Sequence, residues 1–506
     1  MRQILRTTAV AAMMALLPLC VSAQEEWSVQ HGDCLPTGLP QHSAADSPSV
    51  GALHRLPAVK DLWDAERTYH QLVVLVEFED ETFQAEDPNG YYVRLFNEPG
   101  YNEGAGVGCM ADYYKEQSNG LCNLQFDVYG PVTVPYKAQP YDDPDANTRN
   151  HGNSVFYEAM QQVVSNHPEM DYSPYDWDGD GVVEQVIFVY AGVPGNMGEA
   201  SYGHIWPNTS SFTAITTPDG KKIYNFTASG ERWATKTLRF CGIGTICHEF
   251  THSLGLPDIY PTNSWAFSIC DDWDLMDGGN GINYGWCPPS FTPLEKMLLG
   301  WLEPIELTEA ASITGLQAVS EGGAIYLIRH SDTEYLLLEN RQQTKWDAGV
   351  PGHGLMVWYV DYEASAWRNN TPNNRTNNPR FRPVYADGLD YAAWDALIKE
   401  KGLSTYQNSL RMNNRHLSTS PYPYVTEETV VDQIADEYLT NIRETADGLV
   451  SFDFMGGGSG VKECSWQADA ANAVYYDLSG CRVAQPQPGR LYLVRTPSAT
   501  RKYLYR

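Results

Sequence analysis

The chain has 506 residues, 63 acidic against 34 basic, and a formal net charge of −29. So acidic a composition excludes a general basic footprint for nucleic acid or anionic membranes. Hydrophobic residues at 42% and aromatics at 12% exclude a disordered chain, and the length implies two or more units rather than one ordinary core.

At the N-terminus, Arg2 and Arg6 precede an apolar run over 9–19, and Val21-Ser22-Ala23 offers small residues for cleavage. Residues 1–23 therefore read as a signal peptide, too short and too poorly flanked to span a membrane. The bulky Leu19 before Cys20 argues against a lipid anchor. No later apolar run reaches spanning length, so the expectation is a secreted or cell-surface protein without a transmembrane segment, a monomer. Losing 1–23 removes two basic groups and no acid, which deepens the charge to −31.

Residues 24–65 read as a pro-segment or linker, punctuated by Pro36, Gly38, Pro40 and Pro48 without periodicity. Cleavage leaves nine cysteines, an odd number, and Cys34 stands apart in this segment. Three readings stay open for a zymogen: a Cys34 thiolate blocking a metal, Asp33 blocking it through oxygen, or a steric block beside an inert thiol. Export permits disulfides, with Cys464/Cys481 as a C-terminal pair and Cys109/Cys122 as a local loop closure.

From Gln71 onward, apolar strands alternate with amphipathic stretches, an α/β pattern. A helix is expected over 154–167 and a buried strand over 185–190. Between them, Asp176-Trp177-Asp178-Gly179-Asp180-Gly181-Val182-Val183-Glu184 spaces oxygen donors as a calcium loop does. Asp176, Asp178, Asp180 and Glu184 would offer carboxylates and Val182 its carbonyl. Position twelve is Ile187, not the bidentate Glu of an EF-hand, so this is a D-x-D-x-D-G loop running into a strand. The plain alternative is an Asp/Gly-rich turn with no metal. His204 is read as a hydrogen-bonded structural histidine.

The sharpest motif is His248-Glu249-Phe250-Thr251-His252-Ser253-Leu254-Gly255-Leu256-Pro257-Asp258, on a helix expected over 245–254. Histidines four residues apart stack one turn above each other and can share one metal ion. Glu249 sits beside them, placed to act as general base on a water rather than to ligate. Gly255 permits a sharp turn, Pro257 stops the helix, and Asp258 returns as third ligand, with Glu295 as runner-up. Two neutral imidazoles and one carboxylate leave a fourth zinc position open for water, the arrangement of a catalytic site. Tyr260 and Tyr284 flank the site as weak candidates for an oxyanion donor. Met276, 24 positions after His252 in a turn-rich stretch, would ordinarily be filed as core packing.

Strand-like runs at 324–328, 335–339, 355–360 and 449–454 follow, and the Asn/Arg/Pro-rich stretch 368–382 reads as a loop. Met455-Gly456-Gly457-Gly458-Ser459-Gly460 reads as a linker to a small β unit. Three units are thus expected after the leader and pro-segment: 66–305 carrying the metal motif, a β-rich region over 306–457 packed on it, and a β domain over 458–506.

Several segments in order resemble the immune inhibitor A-like secreted zinc metallopeptidases. They are Leu72 to Asp80, Asp112 to Ser118, Phe126 to Val132, the zinc motif, Pro288-Pro289, Glu295 to Leu302, Glu334 to Arg341 and Gly352 to Asp361. The resemblance implies an α/β (α+β), metzincin-like catalytic domain with Met276 as a Met-turn beneath the ligands. It further implies an endopeptidase that hydrolyses protein or peptide substrates with Zn2+ as catalytic metal, and it supports structural Ca2+ at the Asp176 loop. Asp477-Leu478-Ser479-Gly480 with Val483, the Gly489 to Val494 strand and the basic end resemble a type IX secretion sorting domain. That resemblance makes the type IX secretion machinery a candidate partner; an ordinary β-hairpin cap is the alternative. A different class of function, a surface adhesin or glycan-binding protein with a vestigial zinc site, would suit 14 Trp and 32 Tyr. The intact Glu249 argues against it.

Overall fold

A computed structural model describes residues 62–138, 151–196, 205–234, 239–263, 268–375, 377–389, 400, 419–424, 431–434 and 437–457. It also describes four strands near the C-terminus, at 474–476, 482–483, 490–495 and 500–505. The expected signal peptide over 1–23, Asp33, Cys34, His204, Cys464 and Cys481 lie outside the described residues. Among the described residues, no helix is long and apolar enough to cross a membrane.

The first half builds one five-stranded sheet. Strand β1 (Tyr69–Glu77) is almost continuously apolar and buried, as a central parallel strand covered on both faces must be. It pairs in parallel with β2 (Leu124–Thr133) on one side and β3 (Val186–Tyr190) on the other. β4 (Asn208–Thr216) and β5 (Lys222–Gly230) form a hairpin; β5 runs parallel to β3, and β4 closes the order β2-β1-β3-β5-β4 as an antiparallel edge.

Alternation along β1 divides two cores. Val73 and Leu75 point to one face, against α1 (Pro88–Asn97), α2 (Met110–Gln117) and α4 (Gly244–Ser253). Leu72, Val74 and Val76 point to the other, against Val155, Phe156, Ala159, Met160 and Val163 of α3 (His151–Asn166). The result is three layers, with α4 on the face opposite α3.

The expected Cys109/Cys122 disulfide is not formed. The six described cysteines, Cys109, Cys122, Cys241, Cys247, Cys270 and Cys287, are all free and buried. Cys109 instead caps α2: its sulfur accepts from Asp112 N at 3.3 Å while Asp112 Oδ2 accepts from Cys109 N at 3.1 Å. Burial pushes the Cys109 thiol up to about 12 and the Cys122 thiol well above its usual range, so both stay protonated.

Helix α5 (Pro293–Leu298) leads into the β-rich half. Its strands are β6 (Ile305–Glu306), β7 (Ala311–Leu316), β8 (Tyr326–Arg329), β9 (Glu334–Arg341) and β10 (Gly354–Asp361). After the short helix α6 (Ala364–Arg368) come β11 (Phe381–Pro383), β12 (Val431–Ile434), β13 (Glu437–Glu444) and β14 (Val450–Phe454). They form two sheets, β11-β10-β9-β8-β6 and β12-β13-β14-β7. Leu336, Leu338, Leu355 and Val357 face Val450, Phe452 and Phe454 in the core between those sheets. The opposite side chains of β9 and β10, Tyr335, Leu337, Met356, Trp358 and Val360, join the core that contains α2 and α4. One hydrophobic core therefore runs across residue 305.

A buried ion network reinforces that seam. The guanidinium of Arg341 meets Glu339 Oε1 and Asp347 Oδ1, each at 2.9 Å, and donates to the Ser290 and Phe291 carbonyls at 2.9 and 3.2 Å. At the C-terminus, β15 (Val474–Tyr476), β16 (Arg482–Val483), β17 (Arg490–Arg495) and β18 (Thr500–Tyr505) form an antiparallel sheet in the order β16-β15-β17-β18.

Candidate metal centre

Helix α4 is buried along its length, so its polar side chains must be spent on specific partners. Its N-terminus lies directly on the Gly278–Gly285 segment: a Cβ on Gly244 would come within 2.1 Å of the Asn280 carbonyl. The helix ends where expected. Gly255 adopts φ +102, a conformation side chains rarely take, and its N–H donates to the His252 carbonyl at 2.9 Å.

Both histidines are fixed from behind. His248 Nδ1 lies 2.8 Å from the Leu275 carbonyl and His252 Nδ1 2.8 Å from the Leu256 carbonyl. A carbonyl only accepts, so each Nδ1 carries the proton and each Nε2 presents a lone pair. Those two Nε2 atoms converge: each is 3.2 Å from the same atom, Asp258 Oδ1. Among the described residues, no hydrogen-bond donor is assigned to Asp258 Oδ1, which is buried. Three lone-pair atoms pointing at one another in a buried site repel unless a cation lies between them. His248, His252 and Asp258 are thus a donor set that fits Zn2+.

Glu295, the runner-up for the third ligand, is not part of this set. Its carboxylate accepts from Thr292 N and Oγ1 at 2.7 and 2.9 Å, which caps α5. Glu249 is buried on α4, and its Oε2 lies 3.4 Å from Thr209 Oγ1. That Thr209 hydroxyl also donates to the Glu249 carbonyl at 2.5 Å, tying the helix to edge strand β4.

Met276 is fully buried in a turn built by Asp274, whose Oδ1 accepts from Met276 N at 2.7 Å and whose carbonyl accepts from Gly279 N at 2.9 Å. Two backbone contacts seat this turn against the ligands: Leu275 holds His248, and the Met276 carbonyl accepts from Ile259 N at 2.8 Å. Tyr260 is buried with its ring nearly parallel to His248, centroids 6.4 Å apart. Tyr284 lies farther back, against Trp233 and under the Arg239 guanidinium at 3.7 Å.

Of the residues expected to form a calcium loop, Asp176, Asp178 and Glu184 come together closely enough that they could hold one ion. Asp180 turns its carboxylate to Val182 N at 2.8 Å, and Lys221 Nζ pairs with Asp176 Oδ2 at 2.6 Å. Glu184 Oε1 accepts from Trp177 N and Asp178 N at 2.6 and 3.1 Å. Asp176 Oδ1 and Glu184 Oε2 are buried without a hydrogen-bond donor. Burial pushes the Glu184 carboxyl up to about 8.

Sequence reasoning missed the groups that hold these side chains: Leu275 and Leu256 behind the histidines, Thr209 beside Glu249 and, above all, Asn370, whose amide lies against Asp258. No periodicity signals such long-range partners.

Residues 63–299 match the family model described as immune inhibitor A peptidase M6, catalytic domain. The comparisons support a metallopeptidase. The chain is 27% identical over 314 residues to immune inhibitor A of Bacillus thuringiensis subsp. alesti, covering 51% of this chain and 44% of that protein. It is 23% identical over 347 residues to the pre-pro-metalloprotease PrtV of Vibrio cholerae serotype O1, covering 62% of this chain and 37% of PrtV. The chain thus spans less than half the length of these two relatives.

Proposed function

We propose that this protein is an exported zinc endopeptidase. The observation that carries the reading is the shared 3.2 Å approach of His248 Nε2 and His252 Nε2 to Asp258 Oδ1, with both Nδ1 protons committed to carbonyls. Zn2+ held by these three atoms would supply Lewis-acid polarisation of the scissile carbonyl and lower the pKa of the attacking water. Glu249 then accepts a proton from that water and returns it to the departing amine nitrogen. The strand β4, hydrogen-bonded to α4 through Thr209, is the last in the sheet order, a place where an extended peptide could add as a further strand. The Met276 turn braces the ligands from below.

A structural cation, Ca2+ by its oxygen donors, is the second part of this reading, held by Asp176, Asp178 and Glu184. The buried, donor-free oxygens of Asp176 and Glu184 support it. Export rests on the leader pattern of residues 1–23, and latency on the segment to 65. The C-terminal antiparallel strands are compatible with a sorting module.

Casein cleavage separates an endopeptidase from an adhesin with a vestigial site. The expected result is cleavage by chain trimmed as far as residue 61, which keeps Trp63 on the core, lost on chelation and restored by zinc. Protein binding without cleavage would sink the reading.

A further inference from the structure

We propose that Asn370 is a positioning residue for the metal centre: it fixes the Asp258 carboxylate so that Oδ1, not Oδ2, faces the two imidazoles. This rests on the zinc reading of that centre. Asn370 lies just after α6, in the β-rich half and beyond the end of the catalytic-domain match at residue 299.

Asn370 Oδ1 accepts from Asp258 N at 2.6 Å, and Asn370 Nδ2 donates to Asp258 Oδ2 at 2.7 Å. A backbone N–H can only donate, so the amide oxygen must lie on that side and the NH2 group on Oδ2. One amide therefore grips Asp258 at its main chain and at one carboxylate oxygen. Rotation of the carboxylate would break the second bond, which leaves Oδ1 turned toward His248 and His252. An outer partner of this kind orients a ligand before the ion arrives, so less ordering remains to be done on binding.

The position suits asparagine on backbone grounds too. Asn370 has φ +57, a region Asn tolerates and aliphatic or β-branched residues avoid. The segment around it is itself pinned along the chain that follows the ligand. Thr262 Oγ1 donates to the Asn370 carbonyl at 3.0 Å, and Asn374 Oδ1 accepts from Thr262 N at 2.8 Å. Asn373 Nδ2 donates to the Ile259 and Phe381 carbonyls, both at 2.8 Å. So 370–374 runs beside 258–263, and within 370–374 it is the Asn370 side chain that hydrogen-bonds the Asp258 carboxylate.

Two substitutions in the full mature chain separate a positioning role from a merely structural one. Asn370→Gly keeps the left-handed backbone and the bond from Thr262 but removes the amide. Asn373→Ala loosens the same segment without touching Asp258. Zinc affinity is read by chelator competition, the fold by the melting temperature of metal-free protein, and ligand geometry by the absorption spectrum of the Co2+-loaded protein. Asn370→Gly is expected to weaken zinc by about 10–100-fold and alter the cobalt spectrum, a larger affinity loss than its fall in metal-free melting, set beside that of Asn373→Ala, accounts for. Asn373→Ala is expected to lower melting while zinc affinity stays within about threefold, small beside the outer-shell effect. Wild-type zinc affinity in Asn370→Gly overturns the proposal, and so does a zinc loss that merely tracks the melting loss in both variants. Asp258→Asn in the same assay tells which reading fails: if it too keeps wild-type affinity, the metal centre itself is wrong.

Discussion

His248 Nδ1 donates to the carbonyl of Leu275, 27 residues downstream and 2.8 Å away. This bond fixes the ring's tautomer and couples the helix to the Met276 turn. The centre is therefore assembled from three separate backbone segments rather than from the helix alone. Its third member is the one most open to test.

Asp258→Asn should cost zinc affinity by more than the ~10–100-fold typical of an outer partner, because a direct ligand is weakened. Glu295→Gln should leave zinc affinity near wild type, since Glu295 is occupied with Thr292. Chelator competition on both variants measures this, and the reverse pattern would place the third ligand downstream.

Calcium should stabilise the fold in a pH-dependent way. Without an ion, burial holds the Glu184 carboxyl at about 8, above its ordinary 4.5. A raised folded-state value means the folded protein keeps a proton that the unfolded chain releases. Stability from this group is fully present below the ordinary value and is lost as pH rises toward 8, by an amount on the order of a few kcal/mol. A bound cation favours the carboxylate and removes the loss. Melting scans should thus show little effect of Ca2+ near pH 5 and a clear rise near pH 8, abolished in Asp178→Ala. An equal response at both pH values would contradict this.

The seam between the two halves should be costly to break. Arg341→Ala leaves Glu339 and Asp347 buried without the guanidinium that pairs with them, a loss of about 3–5 kcal/mol. The more exposed Arg329–Glu306 pair should be worth about 1 kcal/mol or less. Denaturant midpoints of Arg341→Ala and Arg329→Ala compare the two, and similar shifts would mean the buried network contributes no more than a surface pair.

What the sequence revealed follows from the range of each interaction. The two histidines, Glu249 and the turn at Gly255 are local: four-residue spacing on a helix and one glycine in a left-handed conformation fix their geometry. Asp258 was legible because it lies six residues past His252, just beyond a forced helix end. The α1 start at Asp87-Pro88 and the β4–β5 turn at Pro218-Asp219-Gly220 carry readable signals that the sequence reading passed over; Gly220 has φ +89. Asn370 was not legible, because it meets Asp258 across 112 residues and lies in a stretch that reads only as loop. The calcium spacing fitted four carboxylates and a carbonyl, but local turn geometry sends Asp180 to Val182 N and leaves a three-carboxylate cluster.

The most direct test of the central claim is peptide hydrolysis by Glu249→Gln, measured beside its zinc content. Glu249 lies on the ligand helix without joining the donor set, so its amide should leave zinc at one ion per chain, as in wild type. Turnover should fall by roughly 10²–10⁴-fold through loss of proton transfer alone. Wild-type turnover in the zinc-loaded variant would contradict the account.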